Sequence, residues 1–366
     1  MRQPYGLLRG ASTVGAARWP KVRQPYFEES AVKTKRFAGA LVAIVTMLPL
    51  AACGGEDGPS ITVYNAQHEE LLDALAPIFT KETGIEVKLR NGSDFELANQ
   101  LVQEGGASPA DVFLTENSPA MSLVEGKGLF ADLDRTTLDL VPEQYRATSG
   151  KWMGFAARST VLVYNTDKVS TADLPKSLLD LAEPKWKGRV AFSPTGADFQ
   201  AIVSAVLQLE GEAATKSWLA GLKANGTVYQ GNNVVLKEVN AGTIDTGVIY
   251  HYYWYRDQQE SGDNSNDSAV HYFGDQDPGA FLSVSGAGVL KSSKHQTDAQ
   301  KFVAFLASRT GQQALADSYA LEYPLNADID LGQGVKPLSE LEPPVVDLSS
   351  LNGPTVIAML QSEGFL

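Results

Sequence analysis

Apolar and polar positions along residues 61–160 alternate between two periods. Ile61-Thr62-Val63-Tyr64-Asn65 reads as a buried strand, and Leu71, Leu72, Leu75 and Ile78 then recur at helical spacing until Gly84. Ile85–Leu89 is the next strand, Asp94–Glu104 a helix, Asp111–Thr115 a third strand and Pro119–Gly126 a third helix. A strongly apolar strand, Val161-Leu162-Val163-Tyr164-Asn165, stands near the middle, after which the alternation restarts. It runs through strand Arg189–Ser193, helices Phe199–Glu210 and Ala213–Lys223, strand Thr227–Gln230 and helix Val234–Ala241. Gly247-Val248-Ile249-Tyr250 leads into the aromatic run His251-Tyr252-Tyr253-Trp254-Tyr255. Ser283–Leu290 is a strand punctuated by Gly and Ser, and helices follow at Thr297–Ser308 and Gly311–Asp317. Strands alternating with helices predict an α/β protein with parallel sheets and right-handed crossovers. Two such units joined by extended segments predict two lobes with a cleft between them.

Charge divides the chain differently. Residues 1–52 carry eight Lys and Arg against two Glu, and the remainder carries 22 basic against 41 acidic residues. An acidic body argues against nucleic acid as a partner, since phosphate binding needs a basic footprint. Lys33, Lys35 and Arg36 precede an apolar run, Phe37–Ala52, that ends in Leu50-Ala51-Ala52-Cys53-Gly54-Gly55. This order of basic, apolar and small residues is that of a secretory signal peptide. Cysteine after Leu-Ala-Ala resembles the bacterial lipobox, which implies a lipid on Cys53. The alternative is a membrane anchor, for which the run falls short of the roughly 20 residues a span needs. We expect residues 1–31 to lie upstream of the true start, with Val32 initiating, residues 32–52 to be the signal peptide and 53–60 a tether. The mature protein is then tethered at the extracytoplasmic face of the cell membrane.

With one cysteine, no internal disulfide or multi-cysteine metal site can form, and four histidines exclude a His-rich cluster. Hydrolase motifs are missing: no G-x-S-x-G, no H-E-x-x-H, no S-x-x-K with its partners. Three segments carry positive signals. His68 follows the first strand, where open α/β sheets bind ligands, although it also reads as an exposed helix-start histidine. Glu116 follows the third strand in the equivalent place, and reads equally as a carboxylate at the helix's positive end. Tyr252 and Tyr253 sit at a strand-to-helix turn, a position that also suits core packing or sugar stacking. Two phenols, a carboxylate and an imidazole are an awkward set for zinc and suit a hard trivalent cation better. Two phenolates and a carboxylate carry three negative charges, which balance Fe³⁺ with His68 neutral.

These segments, with Ser108-Pro109-Ala110-Asp111-Val112-Phe113, Pro184-Lys185-Trp186-Lys187-Gly188-Arg189, Asp277-Pro278-Gly279-Ala280 and Lys301–Ala307, make the chain resemble the periplasmic ferric-ion-binding proteins of bacterial ABC importers. The resemblance implies a two-lobed type II periplasmic binding-protein fold. It also implies a monomeric, non-enzymatic receptor that hands Fe³⁺ to an ABC permease. It places the iron ligands on His68, Glu116, Tyr252 and Tyr253. We expect one lobe over 61–160 plus 283–335 and the other over 161–282 plus 336–366, with iron bridging them. The family's synergistic anion site falls on Thr195, Gly196, Ala197 and Asn232, with Arg158 able to orient an anion. The match is weaker there: Asp198 introduces a carboxylate, and Tyr250-His251 stand where asparagines are usual. Water, carbonate or a protein side chain is therefore expected at the open positions. The rival readings are a receptor for an organic acid, sugar or polyamine with the aromatics as a stacking surface, and an exported hydrolase without a recognised motif.

Overall fold

One strand organises the molecule. In the computed structural model, which describes residues 58–326, 328–332 and 334–366, β1 (Ser60–Ala66), β2 (Glu86–Asn91) and β3 (Val112–Thr115) form the first parallel set. They are linked by α1 (Glu69–Thr83) and α2 (Asp94–Glu104), and α3 (Ser118–Gly126) and the one-turn α4 (Arg135–Leu138) follow. β4 (Trp152–Asn165) comes next, 14 residues long and buried throughout. Beyond it lie β5 (Val190–Phe192), α5 (Ala197–Asn225), β6 (Gly226–Val228), α6 (Asn232–Asn240), β7 (Thr246–Tyr250), α7 (His251–Glu260) and β8 (Ser268–His271). The chain returns through β9 (Leu282–Val289), α8 (Gln296–Ala307), α9 (Arg309–Ala316), β10 (Tyr323–Pro324) and α10 (Gly353–Ser362).

The strand path is β2-β1-β3-β9-β4-β7-β5-β6, with β8 and β10 also pairing β4. The expected parallel pairing holds inside each set, β2-β1-β3 and β7-β5-β6. It fails where the sets meet: β3–β9, β9–β4 and β4–β7 are all antiparallel. The first half of β4, Trp152–Ser159, pairs β9, while Thr160–Tyr164 pairs β7, so one strand belongs to both halves. Only its second half was expected as strand. The polar Arg158-Ser159-Thr160 interrupts the apolar pattern, yet all three are buried at the changeover between partners.

Local signals account for most boundaries. Leu71, Leu72, Leu75 and Phe79 turn one face of α1 into the core, and Gly84, at φ 74°, closes the helix with its N–H on Thr80 O. Ser93 and Glu96 form a capping box at the start of α2. The two helices expected over 199–223 form one element, broken at Gly211, whose φ of 82° no helical residue adopts. Among the described residues no helix is long and apolar enough to cross a membrane. Cys53 and the leader lie outside the described residues.

Candidate metal centre

The ends of β1, β3 and β7 bring the four expected ligands to one place. At the end of β1, Asn65 Oδ1 accepts the Gln67 N–H at 3.1 Å and its Nδ2 donates to Gln67 O at 2.9 Å. That turn delivers His68 as the residue before α1, with its N–H donated to Gln67 Oε1 at 2.7 Å. After β3, the backbone N–H groups of Glu116 and Asn117 donate to the two oxygens of Asp94, at 2.8 and 2.9 Å. β7 runs without a loop into α7, so Tyr252 and Tyr253 lie in the first helical turn, rings stacked with centroids 4.2 Å apart.

His68 Nε2 stands 3.8 Å from Glu116 Oε1, and Tyr252 OH donates to the same Oε1 at 3.4 Å. Cis ligands on an octahedral metal with bonds of about 2.1 Å lie about 3.0 Å apart, so these donors need only a small contraction. The Tyr252 side chain is fully buried, while His68 and Glu116 keep 22% and 21% exposure, enough for a path in. Among the described residues no three His, Cys, Asp or Glu side chains could hold a metal. Any metal here must draw on the phenols.

Electrostatics favour a cation. Burial first, then the charge of Asp198, hold both phenols well above their ordinary range, so they carry protons in the metal-free site. A bound cation must displace them. Burial alone would lower His68, but the hydrogen bond to Glu322 and the charge of Glu116 outweigh it and raise its pKa. Arg158, fully buried on β4, places Nη1 2.7 Å from Glu116 Oε1 and Nε 4.0 Å from Glu322 Oε2. None of its buried Nε, Nη1 and Nη2 makes a hydrogen bond of regular geometry, so the pairing is one of charge.

The expected anion residues are placed as follows. Gly196 precedes α5 and Ala197 opens it, while Thr195 is exposed, its Oγ1 3.5 Å from Gln230 Oε1. Asn232 donates to Asp198 Oδ2 at 2.8 Å, and Tyr253 OH donates to the same oxygen at 3.0 Å. Asp198 therefore points inward, in the first turn of α5, where a helix receives anions. Burial first, then Glu116, push its pKa up. Tyr250 donates to Asp198 O at 3.2 Å and lies under the Arg158 guanidinium at 5.4 Å, while His251 is buried against Tyr323. Neither is among the converging donors.

Sequence reasoning missed Asp94 and Glu322. Asp94 looked like a helix start and also caps the Glu116 turn. Glu322 is a lone charge in the run Ala320-Leu321-Glu322-Tyr323-Pro324-Leu325, the one sequence signal of a buried acid there.

The fold is that of a two-lobed binding protein, and its site gathers an imidazole, a carboxylate and two phenols in one place. The chain belongs to the family described as bacterial extracellular solute-binding protein, matched over residues 107–340. It is 54% identical to the Fe(3+)-binding periplasmic protein of Serratia marcescens over 327 residues, covering 89% of this chain and 97% of that one. It is 40% identical over 319 residues to the major ferric iron-binding protein of a Neisseria meningitidis strain, covering 87% and 94%. Iron-bound HitA from Pseudomonas aeruginosa superposes with a TM-score of 0.78 at 43% identity, over 84% of this chain and 99% of that one.

Proposed function

We propose that this chain is a lipid-anchored, non-enzymatic extracytoplasmic receptor that captures Fe³⁺ in an interlobe cleft and delivers it to an ABC permease. The observation that carries the reading is the convergence of His68 Nε2 and Tyr252 OH on Glu116 Oε1, with Tyr253 stacked beside them. His68 and Glu116 supply a neutral nitrogen and a carboxylate from 61–160 plus 283–335; Tyr252 and Tyr253 supply phenolates from 161–282 plus 336–366. Iron then bridges the lobes, and its differential affinity for the closed form drives hinge closure. The names of the relatives, an Fe(3+)-binding periplasmic protein and a major ferric iron-binding protein, support the same cargo.

In the remaining coordination positions we propose water or a small anion such as carbonate. Thr195, Gly196, Ala197 and Asn232 are the residues we assign to receive it, with Arg158, whose buried nitrogens make no hydrogen bond of regular geometry, to orient it. Asp198 already engages Asn232, so an external anion competes with a carboxylate of the protein's own. The receptor is a monomer held to the membrane by lipid on Cys53. Adding Fe³⁺ as a weak chelate to the metal-free protein should produce a visible phenolate-to-iron band, weakened in Tyr252→Phe. Absence of both band and tight binding would sink the proposal. Anchoring is tested separately: intact mass should show Cys53 as the modified first residue.

A further inference from the structure

Glu322 lies between α9 and β10 with its carboxylate fully buried. A buried carboxylate is costly unless every lone pair is used, so its partners reveal what it is for. Oε1 meets His68 Nδ1 at 3.2 Å. Oε2 accepts from Gln67 Nε2 at 3.1 Å and from the Ser285 hydroxyl at 3.2 Å. Arg158 Nε stands farther off, at 4.0 Å. Two of the three close contacts thus grip consecutive residues, Gln67 and His68, at the tip of the β1–α1 turn. Gln67 in turn holds the His68 backbone N–H through its own Oε1.

An ionised carboxylate only accepts, so the ring nitrogen facing Oε1 must carry hydrogen. In the neutral imidazole, a proton on Nδ1 leaves the lone pair on Nε2, the atom that faces Glu116 Oε1 at 3.8 Å. The opposite tautomer would present an N–H to the metal and could not ligate it. The edge of the ring packs on Tyr252 at 5.4 Å, so the ring has little freedom to turn and compensate. We propose that Glu322 is the positioning residue of the site: it fixes His68 as the Nδ1–H tautomer with its Nε2 lone pair aimed at the cargo metal. The role follows the general pattern in which a carboxylate behind a histidine orients it for a metal. It rests on the ferric-site reading above.

With four histidines in the chain, ¹⁵N-histidine labelling resolves the tautomer directly, the His68 signal being assigned by His68→Gln. At pH 8.5 the metal-free wild type should show His68 protonated at Nδ1. Glu322→Met, similar in size but without an acceptor, should shift His68 toward Nε2–H and speed iron release to a competing chelator about 10- to 100-fold. Glu322→Gln, which keeps an oxygen for Nδ1–H, should retain the wild-type tautomer and release iron within a few-fold of wild type. A wild-type His68 bearing its proton on Nε2 overturns the proposal, and that measurement needs no variant to fold and no iron. A Glu322→Gln protein as leaky as Glu322→Met also overturns it, because charge balance with Arg158 would then be the whole role. A wild type with the Nδ1–H tautomer but no charge-transfer band would sink the ferric reading instead, and with it any role of Glu322 toward iron.

Discussion

Arg158→Met is the perturbation that separates the metal-free from the loaded site. The guanidinium is fully buried, 2.7 Å from Glu116 and 4.0 Å from the fully buried Glu322. At an effective dielectric of about 20, one unit pair at 4 Å is worth about 4 kcal/mol. Removing one partner of a buried pair leaves the other charge uncompensated and costs about 3–5 kcal/mol. For a folded body of this size we predict a fall in the metal-free melting temperature of roughly 5–8 °C. Methionine fills most of the volume, so cavity formation adds little. Fe³⁺ brings its own positive charge to Glu116 and binds only the folded protein, so it should replace the lost counter-charge as well as add ordinary ligand stabilisation. The melting gap between Arg158→Met and wild type should therefore shrink by more than half on loading, and Glu116→Gln on the Arg158→Met background should recover part of the metal-free loss. Calorimetry of both proteins, metal-free and loaded, reads this out. If iron raises the two melting temperatures equally, Arg158 and the metal do not share Glu116, and the placement of the cargo beside it is wrong.

Asp198→Asn removes the carboxylate that accepts from Asn232 and Tyr253. We predict that iron capture by this variant comes to depend on added bicarbonate or phosphate by roughly tenfold, as the helix end regains an anion-receiving position, while wild type responds weakly. Competition titrations with and without the anion decide it, and equal dependence would remove Asp198 from the role. Stability of the metal-free protein should also follow pH in a fixed pattern. Asp94 is pushed up to about 8, by burial first and Glu116 second, so between pH 6.5 and 8 it binds a proton that the unfolded chain has lost. Its contribution then falls as pH rises, by at most about 1.4 kcal/mol per unit, and Asp94→Asn should reduce the slope in urea unfolding. Below pH 4 the sign reverses. Burial holds His251 down at about 3, and Glu322 sits at about 2 because Arg158 and His68 outweigh its burial. Both bind protons in the unfolded chain first, so stability drops on acidification; a rise there would contradict the burial of these groups.

Short-range signals explain how much of the fold was legible. The α1 face and the Gly84 stop are written in a few neighbouring residues and appear where the pattern put them, and the gap expected between residues 210 and 213 is the break at Gly211. The antiparallel joins are not local. β4 pairs β9 and β7 through residues more than 80 positions away, and Arg158 in its middle disguised a continuous strand. The site divides in the same way. His68, Glu116, Tyr252 and Tyr253 could be singled out as candidates because each follows a strand that periodicity predicts, and the structure brings those strand ends together. Asp94 and Glu322 act through contacts 22 and 254 residues distant in sequence, and no spacing rule connects them to their partners.

Charge links these observations. Glu116, Asp198 and Glu322 gather around a single fully buried arginine, and two phenols beside them are kept protonated by burial and by Asp198. Burial alone would lower Arg158, but Glu322, Glu116 and Asp198 outweigh it and hold it charged. The metal-free site thus carries more negative than positive charge even before the phenols ionise. That imbalance opposes loss of a phenolic proton until a cation arrives, and then favours the cation strongly. On the proposed ligand set, capture above the pH at which His68 loses its charge releases two protons, one from Tyr252 and one from Tyr253, and affinity for Fe³⁺ should there rise with pH by up to about two decades per unit while both phenols remain protonated in the metal-free form. A measured slope near zero across neutral pH would mean that the tyrosines do not enter the coordination sphere as phenolates, whatever their position in the cleft.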